Sequence, residues 1–271
     1  DERAVTPISF ASFRSSPIIS VHEALGADFL IWNQMPVPKS YCKGVESEHK
    51  TIRNAAGLTD MSGIKKIWLK GEGALEVIDF LITRDCNNIK PGSAKYTALL
   101  DENGNLVDDA IVFHLSPQES DKFDATWLIC FGAGFGVDYL TKSLQDSKVV
   151  ARADDNTVCL MLQGPYAETV MKRVVKGGLT KNLGRFEHGL FSILDSDVMI
   201  ARTSYSGEDG FEIFAESQDA VHIWDYLIAN GALPVGFDAI DIARIEAGLL
   251  FFGRDMTCLL YTSDAADESV C

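Results

Sequence analysis

The chain has 271 residues, 46% hydrophobic and 23% charged, a globular composition with room for one large domain or two smaller ones. Its formal net charge of −15 argues against a nucleic-acid backbone or an anionic membrane surface as partner, because both would be repelled at long range. No apolar run approaches the length of a membrane span, and the N-terminus DERAVTPISF lacks the charged-then-apolar layout of a secretory signal; a soluble, intracellular protein is expected.

From the N-terminus, HEALGADFLIWNQMPVPKSY (22–41) runs from polar to apolar and meets two prolines, which fits an extended entry rather than a helix. VESEHKTIRNAAGLTDM (45–61) interleaves Val45, Ile52, Ala55 and Ala56 with charge and predicts an amphipathic helix ended by Gly57. IKKIWLKG predicts a strand and GALEVIDFLI a helix packed on it. A hairpin follows around DENG, then WLICFGAG as a buried strand and FGVDYLTKSL as a helix. NTVCLMLQGPYAETVMKRVV reads as strand, turn at Gly164 and Pro165, and helix; VMIARTSYSGEDGFEIFAES as a second hairpin; VHIWDYLIANG as a helix behind it. Hairpins alternating with single helices predict an α+β fold.

Six cysteines occur without a CxxC pair, so neither a metal site nor a disulfide framework is expected; Cys42, Cys86, Cys130 and Cys159 are expected as buried free thiols. The segment CLLYTSDAADE (258–268) breaks with everything before it and can be back-translated into a transposase adapter used in sequencing-library preparation. Residues 258–271 are therefore expected to be an adapter-derived tail, and 1–257 the functional region.

In DENGNLVDDAIVF (101–113) two adjacent carboxylates enter an apolar segment. If Leu106 to Phe113 is a strand, Asp109 shares a face with Val107, Ile111 and Phe113, and Asp108 with Leu106, Ala110 and Val112. A carboxylate among such side chains must be hydrogen-bonded, paired or facing a ligand. A place near the strand end, solvated or capping the turn, accounts for the residues equally well.

DENGNLVDDAIVF resembles the ENGGxxDD motif of the glycine-cleavage T-protein, the tetrahydrofolate-dependent aminomethyltransferase family. LTDMSGIKKIWLKG is similar to its DVSHMGxxxVKG segment, LMLQGPYAETVM to its FQGPxA turn, RTSYSGEDGFEIF to its RTGYTGEDGFE hairpin, and RIEAGLLFFGRDM to its RLEAxxxxYGxDM helix. The matches run in family order from about Gly26 to Met256. The resemblance implies two interleaved α/β subdomains of the aminomethyltransferase folate-binding fold, without the C-terminal β-barrel that follows a helix ending near Gly253. It further implies a tetrahydrofolate cofactor, a cytoplasmic location (mitochondrial matrix in a eukaryote), and as partners a small methyl or aminomethyl donor or a lipoyl carrier protein.

Residue by residue, the resemblance puts the folate-site catalytic carboxylate on Asp109 and makes Asp108 structural. Folate contacts fall on Tyr96, Tyr205, Glu212 and Arg244. A carboxylate can accept paired hydrogen bonds from a pterin edge, and an aromatic ring can pack beside it. Each residue also has an ordinary reading: Tyr96 as a half-buried strand tyrosine, Tyr205 and Glu212 as hairpin residues, Arg244 as the partner of Asp241 three positions earlier. The family's folate-contacting Asn and an Arg fall on Phe131 and Ile240, and its His-Met on Gly63 and Ile64. The pterin end is thus expected to be kept and the donor end altered. That pattern leaves open a folate-dependent demethylase of S-, O- or N-methyl compounds, whose S-demethylase branch IWNQMPVP resembles, and a non-catalytic folate-binding domain.

Overall fold

The computed structural model describes residues 8–178 and 183–256; the expected tail, 258–271, lies outside the described residues. In chain order, α1 (Ile19–Ala24) leads to β1 (Asp28–Trp32) and β2 (Met35–Ser40), then α2 (Val45–Asn54), β3 (Gly57–Asp60), β4 (Lys65–Lys70) and α3 (Ala74–Leu81). Next come β5 (Ser93–Leu100), β6 (Leu106–His114), α4 (Pro117–Phe123), β7 (Trp127–Phe131), α5 (Gly136–Ser143) and β8 (Val150–Asp154). The remainder is β9 (Thr157–Gln163), α6 (Ala167–Val174), β10 (His188–Ile193), β11 (Ser196–Ala201), β12 (Gly210–Glu216), α7 (Ser217–Ala229), β13 (Leu233–Pro234) and α8 (Phe237–Glu246).

The fold is α+β, in two interleaved units as expected. One is built around Lys65–Ala153, with residues 250–256; the other takes Phe10–Ile64 and Asp154–Leu249. None of the sheets among the described residues closes into a barrel.

The first unit carries a five-stranded sheet in the order β5-β6-β7-β4-β8. β6 lies between two antiparallel neighbours, and only Leu106, Ile111 and His114 of its nine residues are not fully buried. Burial on both faces explains why, apart from Asp108 and Asp109, residues 106–113 are apolar without an alternation. α4 begins with a reciprocal cap: Glu119 N–H donates to Ser116 Oγ, and Ser116 N–H donates to the Glu119 carboxylate at 2.7 Å.

The second unit carries a six-stranded sheet, β10-β11-β12-β9-β3-β13, and the separate hairpin β1-β2. One sheet face supplies Leu58, Leu160, Leu162, Phe211 and Ile213 to a core closed by Val170 and Met171 of α6 and by Ile223, Trp224 and Leu227 of α7. At about 1.5–3 kcal/mol per buried large side chain, this layer is the main support of the unit. Gly164, at φ +126°, ends β9 where a Cβ would lie 2.4 Å from the Ala55 carbonyl oxygen, so the Gln-Gly-Pro turn admits no other residue there.

Several expected boundaries move. Residues 22–41 are not wholly extended: His22 to Ala24 belong to α1, and the rest forms a hairpin turned by Asn33 and Gln34, both at positive φ. α2 stops at Asn54, and Gly57 is the first residue of β3 rather than a helix cap, because β3 is required to pair with β9. The last helix ends at Glu246 and not near Gly253, so Arg244 and Glu246 sit in its final turn. Cys86, Cys130 and Cys159 are buried free thiols, whereas Cys42 is exposed on the turn before α2.

Candidate functional site

In the first unit, the β5–β6 register sets Ala98 opposite Asp109 and Tyr96 opposite Ile111, which makes Tyr96 and Asp109 diagonal neighbours on one face. The Tyr96 hydroxyl donates to Asp109 Oδ2 at 2.8 Å. Asp109 is 8% exposed and Tyr96 42%, so the tyrosine reaches from the surface to a buried carboxyl. Burial pushes the Asp109 carboxyl up to about 6; the Tyr96 hydrogen bond pulls it down, and the neighbouring Asp108 charge raises it again. A carboxyl poised there exchanges a proton near neutral pH without a large driving-force penalty.

Asp108 is fully buried, and its oxygens accept backbone N–H groups from Asp109 at 2.9 Å, Gly134 at 3.0 Å and Gly136 at 2.9 Å. Burial raises its carboxyl, and those three donors act in the opposite direction. The two adjacent carboxylates therefore have different surroundings, one bonded to backbone and the other to a tyrosine hydroxyl.

In the second unit, Thr59, Met161 and Glu212 form a row across β3, β9 and β12, and Gln163 lies two residues beyond Met161. Strand alternation puts Thr59, Gln163 and Glu212 on the face opposite Leu58, Leu162 and Phe211, which belong to the core. Glu212 is 6% exposed and accepts the Thr203 hydroxyl at 2.5 Å; burial pushes its carboxyl up, and the Thr203 bond resists that rise. Gln163 Nε2 and Thr59 Oγ1 are buried without a hydrogen-bond partner. Each such orphan costs about 1–3 kcal/mol unless something outside the fold completes it. An acceptor carboxylate, an amide donor and a hydroxyl on one sheet face suit a flat heterocycle that presents both N–H groups and acceptors, such as a pterin.

Tyr205 packs against the apolar cluster of Ile52, Val235, Ala239, Ile240 and Ala243 between α2 and α8. Arg244 is buried: its Nε donates to Asp241 at 2.9 Å and its Nη1 to the Leu249 carbonyl at 3.0 Å. Of the five expected site residues, Tyr96 and Asp109 are in direct contact, while Glu212 has Thr203 and Arg244 has Asp241 as local partners. Gln163 and Thr59 escaped the sequence reading. The available signal for Gln163 was a lone polar residue closing the apolar run VCLML before Gly-Pro. Phe131 and Ile240 are fully buried packing residues, which accounts for apolar side chains at those two positions. Among the described residues no group of three or more His, Cys, Asp or Glu is placed to hold a metal ion, and no helix is long and apolar enough to cross a membrane.

The family model described as the GCVT N-terminal domain matches residues 18–265. The gamma subunit of a heme-dependent oxidative N-demethylase from Ectopseudomonas mendocina is 37% identical over 248 residues, covering 90% of this chain and 64% of that protein. An aminomethyltransferase from Bacillus pumilus is 33% identical over 255 residues, covering 90% of this chain and 67% of its own length. The crystal structure of glycine cleavage system aminomethyltransferase T from Bartonella henselae superposes with a TM-score of 0.78 at 30% identity, covering 90% of this chain and 65% of that one. The chain thus spans about two-thirds of the length of these relatives. With the family model covering nearly the whole sequence, the chain belongs to the GCVT N-terminal domain family.

Proposed function

We propose that the protein is a tetrahydrofolate-dependent one-carbon transferase of the aminomethyltransferase type, with Asp109 as its catalytic residue. The observation that carries this reading is the Tyr96–Asp109 pair, a buried carboxyl near neutrality reached by a half-exposed phenol. Reduced folate, when bound, supplies the nitrogen that accepts the one-carbon unit. Asp109 holds or releases a proton at Oδ2, and Tyr96 fixes which oxygen does so. Taken by itself, the second unit offers a pterin edge Glu212 as acceptor and Gln163 as donor, with the Tyr205 ring as an aromatic surface. Arg244, already bonded to Asp241 and Leu249, contributes by shaping the end of α8 under that contact.

A second reading changes the donor. The likeness to an N-demethylase subunit, together with the packed Phe131 and Ile240, favours a carbon delivered from an N-methyl amine over one delivered on a lipoyl carrier protein. The deciding experiment gives the protein tetrahydrofolate with an aminomethyl-loaded lipoyl carrier, formaldehyde or an N-methyl amine in turn, and counts as product the methylene- or methyl-tetrahydrofolate formed in excess of a protein-free control, since formaldehyde condenses with tetrahydrofolate unaided. Product from the lipoyl carrier supports the first reading; product only from formaldehyde or the amine supports the second. Tetrahydrofolate binding with no product from any donor leaves a non-catalytic folate domain, and no binding refutes both.

A further inference from the structure

The segment between β7 and α5 reads Gly132-Ala133-Gly134-Phe135-Gly136. Glycines that bare the backbone at a helix start are the composition of an anion cradle. Here the cradle is filled from within the protein. Asp108 Oδ1 takes the Gly134 N–H and Oδ2 the Gly136 N–H, while Phe135 N–H donates to the Val107 carbonyl at 3.0 Å and Gly132 N–H to the Asp109 carbonyl at 2.9 Å.

The glycines are demanded by this close approach. A Cβ at 134 would lie 2.2 Å from Val107 O and 3.0 Å from Asp108 Cγ. One at 136 would lie 2.3 Å from the Phe131 ring and 2.8 Å from Asp108 Oδ2, and one at 132 would lie 2.0 Å from Asp109 Oδ1. The last distance places the loop backbone as a wall against the Asp109 carboxylate, on the oxygen that Tyr96 does not use.

We propose that Asp108 is a positioning residue, whose carboxylate clamps the 132–136 loop onto β6 so that the loop holds the Asp109 carboxylate in the rotamer that meets Tyr96. This extends the reading of Asp109 as the proton-handling group and gives the acidic pair two linked tasks. A purely structural Asp108 would stabilise the fold and act on its neighbour through charge alone, without holding that neighbour's orientation. The charged and titratable groups acting on the pair are Tyr96 from β5 and the Asp108 carboxylate on Asp109, and Lys65 from β4 on Asp108.

Gly136→Ala separates the two roles, because it keeps both carboxylates while its methyl has Phe131 and Asp108 as its nearest neighbours. Asp108→Asn is the isosteric companion. The titration of the Asp109 carboxyl, followed by carbon-13 NMR of aspartate-labelled protein without folate, is expected to have its midpoint near 6 in the unaltered protein. In Gly136→Ala, which keeps the Asp108 charge, it should fall clearly below that as the withdrawn loop lets water reach the carboxylate, whereas in Asp108→Asn the lost charge lowers it as well, so Gly136→Ala is the deciding variant. In the unaltered protein, the Gly134 and Gly136 amide protons should exchange at least about a hundredfold more slowly than in an unstructured chain, as clamped amides do. A folded variant with lower thermal stability but an unmoved Asp109 midpoint would overturn the proposal, as would rapid exchange of those two amides. Because neither readout involves folate, a protein that fails to transfer a one-carbon unit can still pass this test.

Discussion

Replacing Asp109 by Asn should make the protein more stable at neutral pH while removing its activity. The carboxyl titrates near 6 in the folded protein because burial disfavours its charge. In the unfolded chain it titrates at about 4. Below about 4 both states are protonated, and the group contributes no electrostatic cost. Between about 4 and 6 the unfolded state ionises first, so stability falls as the pH rises, and above about 6 the folded state bears the whole cost. Two tenfold steps at about 1.4 kcal/mol each give roughly 3 kcal/mol, and loss of packing or hydrogen-bond geometry in the variant would reduce the net gain to about 1–3 kcal/mol. The Asn side-chain oxygen can still accept the Tyr96 hydroxyl, so the contact partner is retained. Urea unfolding of both proteins at pH 4, 5, 6 and 7.5 measures the difference. It should be near zero at pH 4, open through pH 5 to 6 and level off above. A constant difference across that range, or a variant less stable at pH 7.5, would refute the assignment of a strained buried carboxyl. Turnover in the same variant should drop on the order of a hundredfold or more.

Glu212→Gln should leave the fold intact and weaken tetrahydrofolate binding by about 10- to 100-fold, the loss expected when a charged acceptor becomes neutral; calorimetry at pH 7.5 checks it. Asp60 is completely buried, and burial alone would raise its carboxyl; bonds from His22, Ser16 and Ser62 outweigh that and hold it below the usual carboxylate range. The stability it confers is therefore present above that range and lost as the pH falls through its lowered value, and Asp60→Asn should cost about 3–5 kcal/mol at pH 7 by urea unfolding. At Gly63 a Cβ would lie 2.7 Å from the Trp32 ring and 3.1 Å from Val37. Gly63→Ala should cost about 1–3 kcal/mol in the parent and clearly less in a Trp32→Leu background, a coupling that a double-mutant cycle reads directly.

Much of the strand and helix pattern was legible because burial imposed it on composition. The VCLML run of β9 is apolar because the strand is buried between β12 and β3. β10 was not legible: it is joined to β11 by Leu194 and Asp195, both at positive φ, where the usual signal is Asn-Gly. Leucine there announces no turn, so the strand before it went unseen. The end of α8 was hidden for the opposite reason, since the apolar run AGLLFF continues past the point where Leu249 N–H and Leu249 O both bond to Arg244 and the chain leaves the helix.

For the site, sequence could identify carboxylates but not their surroundings. Asp108 and Asp109 are the same residue type in consecutive positions, and alternation alone says only that they face apart. What separates them is the partner each finds: three backbone N–H groups for Asp108, one phenol for Asp109. Apart from the Asp109 N–H, those partners come from β5 and from the segment after β7, 13 to 28 residues away along the chain. The apolar departures follow the same logic. Gly63 has no side chain where Trp32 of the β1–β2 hairpin occupies the adjoining space, its ring centroid 5.3 Å from that of Phe237. Phe131 packs where Gly136 leaves room for its ring, and Ile240 fills a cluster with Ile52. Apolar packing fills these points, whereas Glu212 and Gln163 carry polar groups at a comparable degree of burial. Burying such groups is costly, and that contrast is the physical argument for placing ligand recognition on the Glu212 face of the sheet rather than at the remodelled positions.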